Sequence, residues 1–231
     1  MLLQTEMQAL MVMKELFQTW EPWQQAAPIT AGSFLASIAA AIPGPMFSRS
    51  FWRLYPVLRD SKLRWMTIAL PCLVPGSFAG MSHEFFLVND ILVQKTPCSV
   101  CLETRAVSSQ LALGLFLPFA AAVGGTIVVG LQHDYRWAPD TLRQTGQFTR
   151  RLWQRSAGLL AGVAAVQLVG MAALVAAELY SYDSVMTELG ERVARDKAGL
   201  QDPRVLSLEG EVVQTGKRTN VLAKIVDWWH G

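Results

Sequence analysis

Four stretches of this chain run far enough without a charged side chain to cross a bilayer, which takes roughly 20 residues of helix. They are Trp23 to Ser48, Trp65 to Ser82, Ala106 to Leu131 and Ser156 to Ala177. A buried helix segment in a soluble core is shorter, at ~10–14 residues, and four such windows in one chain do not fit that reading. Charged residues make up only 16% of the 231 residues, and they gather in blocks between the windows. A soluble domain carries roughly 25% and scatters them. The predicted fold class is therefore all-α: an integral membrane helical bundle with about four transmembrane helices.

This reading divides the chain into an N-terminal arm at 1–28, a four-span domain at 29–178 and an extramembrane tail at 179–231. In the arm, Leu3, Met7, Leu10, Met13, Phe17 and Trp20 recur at helical spacing. They predict an amphipathic helix that lies in the membrane interface or packs on a partner. The tail is expected to stay helical to about Leu200 and to break at Asp202-Pro203. Val221, Leu222, Ile225, Val226 and Trp229 then form a second helical stripe. Pro43-Gly44-Pro45 is expected to end or kink the first span. Pro71 and Pro75 in the second are tolerable if neighbouring helices satisfy the carbonyls they free.

Basic residues set the expected orientation. Arg49, Arg53, Arg59, Lys62 and Arg64 follow the first span, and Arg136, Arg143, Arg150, Arg151 and Arg155 follow the third. The loop between the second and third spans has only Lys95 and Arg105. The positive-inside rule places the two basic segments on the cytoplasm-like face, and both termini on the other. The arm sets Lys14 against Glu6, Glu15 and Glu21 and has no arginine before Arg49, so any targeting signal is expected to be internal.

Little in the chain suggests catalysis. A net charge of +2 without a basic, aromatic-interleaved run gives no nucleic-acid site. No nucleotide loop, HExxH or GxSxG occurs, and neither a cofactor nor a small-molecule substrate is expected. The windows contain no ionisable residue of the kind that marks an ion path. Gln110 and Gln167 are expected to hydrogen-bond between helices. Gly76 and Gly80 form one GxxxG; Gly158 and Gly162 form another, continued by Gly170. Small residues allow close helix approach, either inside the bundle or against a partner helix.

The sharpest local feature is Thr96-Pro97-Cys98-Ser99-Val100-Cys101, just ahead of the third window. Thr96 suits an N-cap and Pro97 the first helical position, which would put Cys98 and Cys101 in the first turn. The pair admits four readings: a structural disulfide, two reduced thiols, half of a zinc site, or a redox pair. The last would resemble the four-helix thiol oxidoreductases that feed quinone. Such relays use two cysteine pairs, and only Cys72 remains here.

Cys98 to Arg105, followed by an apolar span with a central Leu117-Pro118, resembles the transmembrane protein 126 family. The similarity extends to the early Ala/Gly-rich span, the Phe47-Ser48-Arg49 exit and the proline-bearing second span, covering roughly Thr30 to Tyr180. The resemblance implies a multi-pass protein of the mitochondrial inner membrane that helps assemble the membrane arm of respiratory complex I. It implies a scaffold without catalytic residue or cofactor, whose partners are membrane subunits of complex I or a supercomplex, and lipids. The tail after Tyr180 lies outside the similarity. A permanent accessory subunit of a respiratory complex therefore stands as the alternative, with a thiol oxidoreductase using Cys98 and Cys101 as the one of different class.

Overall fold

A computed structural model describes residues 2–56, 58, 64–94 and 98–200, and among them every regular element is helical. We number the helices α1 (Leu2–Thr19), α2 (Trp23–Ala41), α3 (Pro43–Leu54), α4 (Arg64–His83), α5 (Ser99–Leu111), α6 (Leu117–Gln132) and α7 (Leu142–Leu200). Single π-helical turns join α4 to a short continuation at Asn89–Leu92 and α5 to α6. Four rods result: α2–α3, α4 with its continuation, α5–α6, and α7. Three have the length and apolarity to cross a membrane: Trp23–Leu54, Ser99–Gln132 and Leu142–Arg195. The rod of α4 lies among them, packed on α2, α3 and α6. Its two prolines and its polar end at His83 and Glu84 make it the least apolar of the expected spans.

The prolines bend the first two rods without breaking them. Ile42 keeps helical dihedrals and donates to Ile38 O at 3.1 Å, so Pro43-Gly44-Pro45 kinks the first span and does not end it. Pro71 lacks an N–H and leaves Thr67 O without its helical donor. Ser48 Oγ on α3 donates to that oxygen. Pro75 in turn frees Pro71 O, against which Gly44 packs so closely that a Cβ there would sit 2.2 Å from it. The second GxxxG-bearing rod, α7, is unbroken across its length.

Apolar clusters occupy three levels. At one end Phe47, Phe51, Phe119, Phe148 and Leu152 pack together. Ala36, Leu87, Ala106, Met171 and Val175 fill the middle. At the other end Met13, Phe17 and Trp20 of α1 meet Ile29, Ile91, Leu102, Tyr182 and Val185. The arm is thus amphipathic as its spacing predicts, and Met13, Phe17 and Trp20 pack on their own chain, against α2, the Asn89–Leu92 continuation and the extension of α7. Met7 and Met11 on the same helix stay exposed. The arm and the first part of the tail, set apart by the sequence division, form a single cap over the bundle. Asp202-Pro203 and the stripe at 221–229 lie outside the described residues.

Close approach at Gly44 gives a direct test. Gly44→Ala drives a methyl into the Pro71 carbonyl and is expected to cost about 1–3 kcal/mol of stability. Gly124→Ala meets nothing within 4 Å and should gain about 0.5–1 kcal/mol from reduced backbone freedom. Thermal melts of both variants in one detergent check the pair.

Candidate functional site

Helix α7 gathers the side chains that the bundle holds away from lipid. At its middle, Gln110 Nε2 donates to Gln167 Oε1 at 2.8 Å, and Gln167 Nε2 donates to Ala39 O at 2.6 Å. Both glutamines therefore bond between helices, as expected. The π turn Ala112–Phe116 begins two residues after Gln110 and precedes Pro118, which has no N–H to donate.

About three turns further along α7 lies a pair that the windows conceal. His83 Nε2 and Glu178 Oε1 stand 2.7 Å apart, with side chains 2% and 0% exposed. The second and fourth windows end at Ser82 and Ala177, one residue before each partner. Charge-free counting stops at a charge, so it cannot show a buried one just past the boundary. The windows themselves hold no charged residue, as read, but the bundle buries this pair just past their ends. Helix α2 makes room with Gly32, where a Cβ would fall 1.8 Å from Glu178 Oε1. His83 Nδ1 and Glu178 Oε2 are buried without a partner among the described residues.

The neighbouring polar groups tie α1 to the same place. Glu84 Oε2 accepts from Ser33 Oγ at 2.6 Å, and Lys14 Nζ pairs with Glu84 Oε1. Arg105 donates to Phe86 O within the following π turn at 3.0 Å and to Asp90 Oδ2 just beyond it at 2.6 Å. Arg192, near the end of α7, lies 4.5 Å over the Trp20 ring and donates to Glu21 O at 2.8 Å.

The two GxxxG pairs part company. Gly76 and Gly80 are spent inside the bundle: a Cβ at Gly80 would lie 2.0 Å from Ser37 Oγ, and one at Gly76 would lie 3.1 Å from Ser37 O. Gly158, Gly162 and Gly170 have nothing within 4 Å. They border an apolar groove of about 830 Å³ whose other wall is Leu35, Ala39, Ile42 and Met46.

Cys98 and Cys101 are exposed, and no disulfide joins them here. Helix α5 begins at Ser99, later than Thr96-Pro97 suggests, and Cys98 is itself the N-cap. Its Sγ accepts from the Cys101 N–H at 3.3 Å. The Cys101 thiol and that N–H hold the Cys98 thiol below its ordinary range. Thr96 and Pro97 lie outside the described residues. Cys72 is half-buried on α4, and no set of three metal-ligating side chains occurs among the described residues.

Comparison with protein-family models, curated proteins and solved structures found no match.

Two outcomes follow. His83→Leu strands the Glu178 carboxylate in the bundle and should cost about 3–5 kcal/mol, most of it recovered when Glu178→Met is added. Melts of the single and double variants measure the difference. At Cys98, a thiol below its usual range reacts as thiolate at lower pH. In a Cys72→Ser, Cys101→Ala background its iodoacetamide rate profile should move to higher pH than with Cys101 present.

Proposed function

We propose that this chain is a non-catalytic membrane scaffold of the mitochondrial respiratory chain, acting in assembly of the complex I membrane arm or as an accessory component of it. One observation carries the scaffold reading. Along the outer side of α7, Gly158, Gly162, Ala165, Val169, Ala172 and Ala176 recur at the alternating four- and three-residue spacing of a helix–helix seam. All are exposed except the half-buried Ala172, and the glycines touch nothing of their own chain. In lipid, apolar exposure alone implies no partner, because lipid tails are equally apolar. A seam of small residues is different. Each glycine inside a helix costs roughly 0.5–1 kcal/mol, and what it provides is close approach of another backbone.

The internal polar groups agree with this reading. Gln110, Gln167, His83 and Glu178 are engaged with one another or with backbone carbonyls. Between the two pairs lies the apolar level around Met171 and Val175. The interior is thus cross-braced and offers no continuous polar file. The respiratory setting rests on the resemblance of residues Thr30 to Tyr180, with its CxxCxxTR signature at Cys98 to Arg105.

Gly162→Leu with Ala165→Leu should block the seam and leave the bundle intact, since both positions face outward. Native gels of inner membranes carrying the tagged chain provide the measurement. The wild type should migrate with membrane-arm assemblies of complex I, and the double variant should run free at unchanged abundance. A wild-type chain that never migrates with complex I would remove the respiratory assignment. A double variant that stays bound would remove the seam.

A further inference from the structure

The groove beside that seam has one basic end, and its shape and chemistry identify an occupant. We propose that it binds an anionic phospholipid, with an acyl chain along the groove and the phosphate among Arg49, Arg53, Arg151 and Arg155. This goes beyond the scaffold reading and requires only that the bundle sit in a membrane.

The groove is long enough to take an acyl chain. Its α7 wall runs from Gly158 to Leu174, a rise of ~24 Å at 1.5 Å per residue. The cavity volume along it is about 830 Å³. An acyl chain of one leaflet needs only ~15 Å of depth, half of a ~30 Å hydrocarbon core. The lining is apolar apart from Gln167. That amide bonds inward, its oxygen accepting from Gln110 and its nitrogen donating to Ala39 O.

Charge distinguishes the two ends. On α3, Arg49 and Arg53 follow the groove residue Met46 by three and seven positions, which keeps them on its face. On α7, Arg155 and Arg151 precede Gly158 by the same intervals. The two helices meet at this level, where Phe47 and Phe51 pack with Phe148 and Leu152. All four arginines are exposed, and among the described residues none has a carboxylate within ion-pair distance. At the far end, one turn past Leu35 and Leu174, the chain closes with Gly32, His83 and the buried Glu178 carboxylate. An anionic head is drawn to the first end and has no purchase at the second. Basic pockets between spans on the cytoplasm-like face are where anionic lipid heads bind. The positive-inside assignment puts these arginines there.

Native mass spectrometry of the full-length chain in detergent, titrated with phosphatidylglycerol or phosphatidylcholine, tests the site. Phosphatidylglycerol should be retained in preference and at low stoichiometry. Arg49→Gln, Arg53→Gln, Arg151→Gln and Arg155→Gln should each weaken it by about fivefold, with phosphatidylcholine unaffected. Gly170→Leu fills the groove from a position off the seam, so it should release phosphatidylglycerol while the arginines remain. Inorganic phosphate should fail to displace the lipid. Equal retention of the two lipids, or full retention by the fourfold glutamine variant, would overturn the proposal. So would displacement by phosphate, which reduces the site to a bare anion contact. The purified chain carries no partner, so these outcomes are independent of whether it joins complex I.

Discussion

Inside a bilayer a polar group has no water to turn to, and the arrangement of these helices follows from where each group finds a substitute. Pro71 frees Thr67 O, and Ser48 on α3 supplies the donor. That bond fixes how α3 must lie against α4, and Gly44 lets the two backbones close over the next freed carbonyl. One π turn precedes Pro118 within the third span. The other leaves Phe86 O to the Arg105 guanidinium. At Thr67 O and Phe86 O the irregularity in one helix is completed by a side chain on another, so those two places are points of attachment.

Such attachments matter more here than in a soluble core. Transfer from lipid to a helix interface yields little hydrophobic gain, and the faces of α7 are nearly uniform in Ala, Gly, Leu and Val. Packing alone would leave α7 free to slide by a turn at little cost. Gln167 and Glu178 prevent that, because a slip would detach the first from Gln110 and Ala39 and the second from His83. A buried pair of this kind adds little net stability against an apolar replacement, yet it strongly penalises any register that separates its members. Gly32 belongs to the same device: only a residue without Cβ lets α2 pass over the carboxylate.

Much of this was legible in the sequence, and its gaps have physical causes. Charge-free windows located the rods because lipid excludes unpaired charge, and the two glutamines were read as interhelical bonds because amides in lipid need partners. The same counting hid His83 and Glu178, since it treats every ionisable residue as the end of a span. The arm's apolar stripe was visible, but a stripe specifies only that something covers it, and for Met13, Phe17 and Trp20 the cover is this chain's own α2, Asn89–Leu92 and α7 from Tyr182 on. Likewise the two GxxxG pairs are identical as text. Spacing tells which backbones can be approached closely, not what approaches. Only the fold shows that Gly76 and Gly80 face Ser37 while Gly158 and Gly162 face outward.

Helix α7 consequently has three working faces, and their angular order constrains what can lie beside the protein. One face is bound to the bundle through Gln167, Met171, Val175 and Glu178. The outer seam runs through Ala165 and Val169, and the groove lies between the two, with Gly158 and Gly162 bordering both. A helix docked on the seam would roof the groove over part of its length, so whatever occupies the groove becomes part of that interface. An acyl chain there would fill space that neither protein surface fills, with its head held outside the seam by arginines on two different helices. A lipid held that way couples α3 to α7 at the end of the bundle opposite His83 and Glu178, where no buried ion pair among the described residues joins them.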